Sequence, residues 1–481
     1  MSSVSSWFSS PKLRRALAIS SVVLATGGLV LYKAPANAFP GGNPIVTRPL
    51  TADGKNAVAF AGPGAHGVLS LSHTKVMNGT STPVFAEVRI VADANEKAPV
   101  RAPISLAVVL DTSGSMSGEK IEDAKRSVLR LISDMRDDDE IAVVRYDDTS
   151  TLVQPLARVG SVRRELSEKI RSIHAGGGTN IPGGLSHGLR ALDEAAKGRV
   201  RRIVLASDGL DGTRSQAEAL ARTSFASGIT VSSMGIGLDF DESYMGAVAQ
   251  NGHGNFAFVK DGSSLTAFLK RELEETSTTT VENARVKIKL PSNVRFVSAA
   301  GADASVFGDE VELALGALFA GDERRVIVEL SADTFSNAGA ANINATASWN
   351  KVGEATATIE VPKLTLVATN DMSEVEKGRD GAVLASATSV LASKRQLEAS
   401  AAYAKGDVAR AVQLTAENER DLAAARAAAP APVAATLDAQ LGAYTEQKKA
   451  FRTIAPRSAE GNAAAKAGAA KDLGNMQRKG F

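Results

Sequence analysis

The sequence predicts an α/β protein: a mainly parallel sheet with helices on both faces, inserted in or flanked by a β-sandwich, with a C-terminal α-helical region. Three observations carry this reading. Between residues 103 and 278, short apolar runs of strand length alternate with amphipathic segments, the pattern of parallel strands joined by helical crossovers. On either side, residues 67–102 and 279–365 alternate apolar with polar and no helical period interrupts them, which suits antiparallel strands. Residues 371–452 are Ala-rich, with Gly and Pro only at intervals, which suits helices.

At 481 residues the chain has room for two to four domains. A hydrophobic share of 44% against 22% charged residues is ordinary for a globular protein. The net charge of +2 provides no basic field for nucleic acid, and no acidic tail is present. The 5 His are scattered and Cys is absent, which excludes disulfides, thiol chemistry and a His/Cys zinc site. Nothing in the sequence sets an oligomeric state.

Lys12, Arg14 and Arg15 precede the apolar segment Ala16–Tyr32, and Ala36-Asn37-Ala38 supplies a small-residue exit. This is the layout of a secretory signal peptide over residues 1–38. At about seventeen residues the apolar run also reaches the lower limit for a membrane span, so an uncleaved signal anchor is the alternative. Both readings place the rest of the chain outside the cytoplasm: periplasmic, secreted, or anchored facing outward. Membrane contact would arise only through that anchor. Residues 39–66, rich in Pro, Gly and Ala, read as a linker.

Val68–Val76 and Val84–Ala92 alternate as half-buried strands but are too few to stand alone. They must pair with later strands, which would make the α/β part an insertion in one sandwich. At Ile104–Met116 (ISLAVVLDTSGSM) the pattern changes to the near-continuous apolar run of a strand buried on both faces. It ends in Asp111, with Ser113 and Ser115 at alternate positions around Gly114. A loop at the C-terminal end of such a strand is where open α/β sheets hold ligands. Asp and Ser are hard oxygen donors, although hydroxyls capping the next helix would explain the segment equally well.

Lys120–Arg136 is amphipathic, and Asp137-Asp138-Asp139 reads as a solvated turn rather than a calcium loop. Glu140–Tyr146 is a strand, Thr151–Ala157 its hairpin partner, and Val162–Ile173 a helix. The loop Gly176-Gly177-Gly178-Thr179-Asn180 puts the Thr179 hydroxyl on a glycine backbone able to approach a neighbour closely. A helix follows with Leu185, Leu189 and Leu192 on one face; His187 reads as packed or solvated. Arg202–Asp208 repeats the opening pattern of a buried strand ending in a carboxylate, followed by Gly209. Asp239, Asp241 and Glu242 suit the cap of the next helix.

From Val281, six further strands run to Val361. Helices are expected at about 373–404, 408–427 and up to 451, broken at Gly406-Asp407 and at Pro430 and Pro432. Tyr403–Asp407 with Ala409 and Ala411 looks like part of a tetratricopeptide unit. One unit cannot stack as a solenoid, so a helical hairpin packed on the β domain or on a partner is preferred. Residues 453–481, polar and rich in Gly, Ala and Lys, are expected to be disordered.

Taken together, D-x-S-x-S at 111–115, Thr179 and Asp208 resemble the metal-ion-dependent adhesion site of von Willebrand factor type A domains, over roughly residues 100–280. The resemblance implies a Rossmann-like sheet of six strands with one antiparallel edge. It also implies a divalent cation at Asp111, Ser113, Ser115, Thr179 and Asp208, with Mg²⁺ first and Mn²⁺ or Ca²⁺ as alternatives. Ser113, Ser115 and Thr179 would coordinate directly or through water, and Asp111 and Asp208 directly or as hydrogen-bond acceptors. An open position would take an exposed Asp or Glu of a protein partner. Asp111→Ala is expected to abolish cation binding and leave the fold intact, as loss of a surface ligand. The arrangement is also similar to secreted relatives of calcium-activated chloride channel regulators and inter-alpha-trypsin inhibitor heavy chains, without the zinc motif some channel regulators use for self-cleavage.

Enzyme classes fit poorly. An aspartyl-phosphate phosphatase needs a second carboxylate two residues after its Asp, where this chain has Ser113. No G-K-[ST] follows the glycine loop, and neither G-x-S-x-G after a strand nor H-E-x-x-H occurs. The sequence therefore points to an exported, metal-dependent adhesion-type binding module and not to an enzyme. A structural scaffold of a cell-envelope assembly with a stabilising metal is the alternative, and a hydrolytic enzyme comes last.

Overall fold

A computed structural model of the chain describes residues 56–94, 102–196, 198–208, 211–238, 240–333 and 339–477. The segment read as signal peptide or anchor, most of the linker, Gly209 and Asp239 lie outside the described residues. Before the α/β part stand β1 (Ala57–Gly62), β2 (Ala65–Leu71), β3 (Lys75–Met77) and β4 (Thr82–Ala92). β1 begins inside the stretch expected to be a linker, because Ala57 and Phe60 turn inward and bury despite the surrounding Gly and Pro.

The α/β part is one six-stranded sheet of β5 (Ile104–Asp111), β6 (Glu140–Tyr146), β7 (Ser150–Arg158), β8 (Val200–Ser207), β9 (Ile229–Ile236) and β10 (His253–Val259). Their order is β10-β9-β8-β5-β6-β7, parallel throughout except for β7 at the edge. Helices α1 (Glu119–Asp134), α2 (Val159–Arg171), α3 (Ile181–Asp193), α4 (Arg214–Ala226), α5 (Glu242–Asn251) and α6 (Gly262–Ser277) cover the two faces. β5 shows why its run is continuously apolar. Leu106, Val108 and Leu110 join one core with Ile121, Val128 and Phe268, while Ala107 and Val109 join the opposite core with Leu185, Ile203 and Leu205. Side chains alternate across a strand, so a strand covered on both sides needs apolar residues at every position. Buried Glu272 ties α6 to the sheet, accepting from Arg202 Nη1 and Ser232 Oγ at 2.7 and 2.6 Å.

After α6 the chain returns to β structure in β11 (Thr279–Lys289), β12 (Val294–Ala300), β13 (Asp303–Phe307), β14 (Glu310–Phe319), β15 (Glu323–Ala332), β16 (Ala340–Lys351) and β17 (Thr356–Thr369). Two sheets form, ordered β1-β2-β4-β15-β12 and β13-β14-β11-β16-β17-β3. β4 pairs antiparallel with β15 from Thr82↔Ala332 to Val91↔Glu323. Strands from before and after the α/β part therefore share one sandwich, and that part is an insertion anchored at both ends. Between the sheets lie Leu69, Ile90, Ile288, Leu366 and Trp349, whose indole N–H donates to Pro63 O at 2.9 Å.

Helices α7 (Met372–Lys377), α8 (Gly381–Ala404), α9 (Val408–Ala428), α10 (Ala431–Thr453) and α11 (Ala459–Gln477) complete the fold. The single helix expected at 373–404 is broken after Lys377. Asp380 restarts it by accepting from Ala382 N and Val383 N at 2.9 and 3.1 Å. The tail expected to be disordered from residue 453 instead carries α11. Its Ala465, Ala469, Leu473 and Met476 are buried, and its polar residues find buried partners. Tyr444 OH donates to Asp472 Oδ1 at 2.6 Å, and Asn475 Nδ2 to Ser393 Oγ at 2.8 Å. A composition rule for disorder assumes that polar residues stay wet; here a hydrogen-bonded helical bundle satisfies them. Among the described residues no helix is long and apolar enough to cross a membrane.

Candidate functional site

The site lies at the C-terminal ends of β5 and β8, which are adjacent and parallel with Leu110 opposite Ala206. That register brings Asp111 level with Ser207 and Asp208. The chain turns sharply after β5 because Asp111 Oδ1 accepts from Ser113 N at 2.8 Å. A 3-10 turn, Gly114–Met116, follows, and buried Met116 anchors it to the core.

Four of the five expected site residues join one hydrogen-bonded chain. Ser113 Oγ lies 3.0 Å from Ser115 Oγ, and Ser115 Oγ donates to Asp208 Oδ1 at 2.7 Å. Asp111 connects through Ser113 N and, on Oδ2, accepts from Ser207 Oγ at 2.6 Å. Asp111 and Asp208 are both fully buried. Burial pushes the Asp111 carboxyl above its ordinary value; bonds from Ser207 and Ser113 oppose this, and the nearby charge of Asp208 adds to it.

Thr179, the fifth, is brought alongside but not into that chain. Gly114 N donates to Gly177 O at 2.9 Å and Gly176 N to Thr112 O at 2.8 Å, locking the glycine loop against the Asp111 loop. Gly177 has φ +81°, a conformation that favours glycine. Gly178 N donates to Asp148 Oδ2 at 2.8 Å, and a Cβ on Gly178 would fall 2.2 Å from Asp148 Oδ1. Thr179 is half-buried, and among the described residues its hydroxyl makes no hydrogen bond to Asp111, Ser113, Ser115 or Asp208. His187 sits apart, its Nδ1 2.5 Å from Ser150 Oγ, and Asp241 caps α5.

Sequence reasoning missed Ser207, Lys120 and Asp148. Ser207 could have been found as a lone hydroxyl closing a buried apolar strand just before Asp208. Lys120, whose Nζ is 2.5 Å from Asp208 Oδ2, and Asp148 carry no local signal, because their roles arise only when distant loops meet. Asp111 is also no surface ligand. Asp111→Ala would leave Ser113 N and Ser207 Oγ without their acceptor, at about 1–3 kcal/mol; the amide of Asp111→Asn keeps an acceptor.

Two carboxylates with hydroxyls alone form a hard donor set, suited to Mg²⁺, Mn²⁺ or Ca²⁺. Among the described residues no group of three or more His, Asp or Glu converges, so a cation here would depend on hydroxyls as much as on carboxylates.

Comparison with known proteins agrees with this architecture. The family model for the von Willebrand factor type A domain matches residues 105–271. YfbK of Escherichia coli (strain K12) is 30% identical over 193 residues, 38% of this chain and 33% of that protein. Inter-alpha-trypsin inhibitor heavy chain H3 of Mus musculus is 24% identical over 203 residues, 40% of this chain and 23% of that one. The match thus spans a third or less of each of these relatives. In fold, a solved von Willebrand factor type A protein from Catenulispora acidiphila matches 89% of this chain and 99% of its own, with a TM-score of 0.64 at 16% identity. That likeness takes in far more than the α/β part, so the surrounding architecture is shared as well. Proteins with this domain typically serve in protein interaction and adhesion. Residues 105–271 are a von Willebrand factor type A domain, inserted in the chain's β-sandwich.

Proposed function

We propose that this chain is an exported, metal-dependent protein-binding module of the adhesion type. Asp111, Ser113, Ser115, Thr179 and Asp208 hold a divalent cation, Mg²⁺ in the first instance, and a carboxylate from a partner protein completes its coordination. The observation that carries this reading is the hydrogen-bonded run Asp111–Ser113–Ser115–Asp208, which gathers two buried carboxylates and two hydroxyls at neighbouring strand ends. Oxygen donors of this kind leave a bound dication Lewis-acidic and ready for one more anionic ligand. Export rests on the N-terminal segment 1–38. The role is binding without turnover.

The test is binding of the full chain to immobilised poly-glutamate, with poly-glutamine as the uncharged control. Capture by poly-glutamate in Mg²⁺, lost with chelator and lost in the Ser113→Ala/Ser115→Ala variant, is the expected result. Capture that is equal in chelator would refute the reading. A scaffold role is the second reading, favoured by the anchoring of the domain at both ends between β4 and β11. It predicts assembly indifferent to chelator.

A further inference from the structure

A cationic side chain reaches the candidate site. Lys120, the second residue of α1, places Nζ 2.5 Å from Asp208 Oδ2, while Asp208 Oδ1 accepts from Ser115 Oγ. The Asp208 side chain is fully buried and that of Lys120 is 28% exposed. Its path is built in. Gly118, with φ +80°, turns the chain into α1, and Gly237, with φ +76° just after β9, leaves room for the lysine stem. A Cβ at Gly237 would lie 3.1 Å from Lys120 Cε.

The charges then add up in a particular way. Counted as carboxylates, Asp111 and Asp208 contribute two negative charges and Lys120 returns one. A divalent cation brings the site to a net single positive charge, whereas without the lysine it would be neutral. The lysine therefore repels the cation while the site lacks an acidic ligand, and one carboxylate from a ligand cancels the surplus. We propose that Lys120 is a fixed counter-cation that weakens binding of the bare divalent cation and makes it cooperative with an acidic ligand. This inference rests on the metal-site reading above. It makes Lys120 a specificity-determining residue, distinct from a mere partner that keeps Asp208 in place.

The experiment is calorimetric titration of the full chain with Mn²⁺, with and without acetate as the carboxylate probe, for wild type, Lys120→Met and Lys120→Arg. Removing a like charge a few ångströms away tightens Mn²⁺ binding to Lys120→Met by about tenfold or more, and Lys120→Arg stays close to wild type. Acetate tightens Mn²⁺ more on wild type and Lys120→Arg than on Lys120→Met, where only the cation's own open position attracts it. Equal or weaker Mn²⁺ binding by Lys120→Met overturns the proposal, and so does an acetate effect as large in that variant as in wild type. If Lys120→Met does not fold, the acetate effect on wild type and Lys120→Arg decides, and its absence overturns the proposal. Mn²⁺ binding to wild type separates the two ideas. If it persists while the lysine effect fails, the metal site stands and this inference falls. If neither wild type nor Lys120→Met binds Mn²⁺, both fall.

Discussion

Replacing Lys466 by Met tests how α11 is fastened to the inserted domain. The Lys466 ammonium donates to Phe240 O and to Glu242 Oε2, both at 2.6 Å, and lies 4.0 Å from the centre of the Phe240 ring. Its side chain is 5% exposed and that of Glu242 14%, so the pair is largely desolvated. Breaking one side of a buried pair costs about 3–5 kcal/mol, because the remaining charge is left without a partner. Met preserves most of the stem volume, so the cavity contribution is small. Glu242 can turn partly to water, which favours the lower end, about 3 kcal/mol. At 1.4 kcal/mol per factor of ten, α11 should open on the order of a hundredfold more often. Native-state hydrogen exchange reads this directly. Amides of 459–477 are expected to exchange about a hundredfold faster, with those of β5 and β8 unchanged. An acceleration below about threefold in α11 would refute the argument that this contact holds the helix down.

Two further predictions concern the bundle and the glycine loop. Burial pushes the Asp472 carboxyl up to about 7. The folded state therefore holds a proton that the unfolded chain has released between about pH 4 and 7, and stability falls as pH rises through that window. Asp472→Asn should remove this contribution, on the order of 3–4 kcal/mol, so wild type gains on the variant as pH drops from 7 to 4. Parallel melting-temperature curves for the two proteins over that range would contradict it. Gly178→Ala forces a Cβ to within 2.2 Å of Asp148 Oδ1 and should shift the Thr179 loop. Mn²⁺ affinity measured by calorimetry should then fall by about tenfold, and unchanged affinity would show that Thr179 takes no part.

The inserted domain was legible because its signals are local. Continuous apolar strands, amphipathic crossovers and a D-x-S-x-S turn each require only neighbouring residues, and Ser113, Ser115 and Asp208 do meet as their spacing implied. The sandwich was legible by arithmetic, since orphan strands before Ile104 needed partners and found them in β15. Two kinds of feature escaped. Lys120 meets Asp208 across 88 residues of chain, and no local pattern marks it. α11 escaped because its apolar face is thin, Ala465 and Ala469 followed by Leu473 and Met476, and buried polar pairs, Tyr444 with Asp472 and Lys466 with Glu242, complete its anchoring. A sequence read for hydrophobic period sees only a polar tail there.

Thermal unfolding with and without excess Mg²⁺ reads out a cation at Asp111 and Asp208 through its linkage to stability. Wild type should gain about 2.7 kcal/mol of stability at a hundredfold excess over the dissociation constant. Asp111→Asn, which keeps an acceptor for Ser113 N but loses the charge, should gain nothing. No gain in wild type, or an equal gain in both proteins, would rule out a cation held by Asp111.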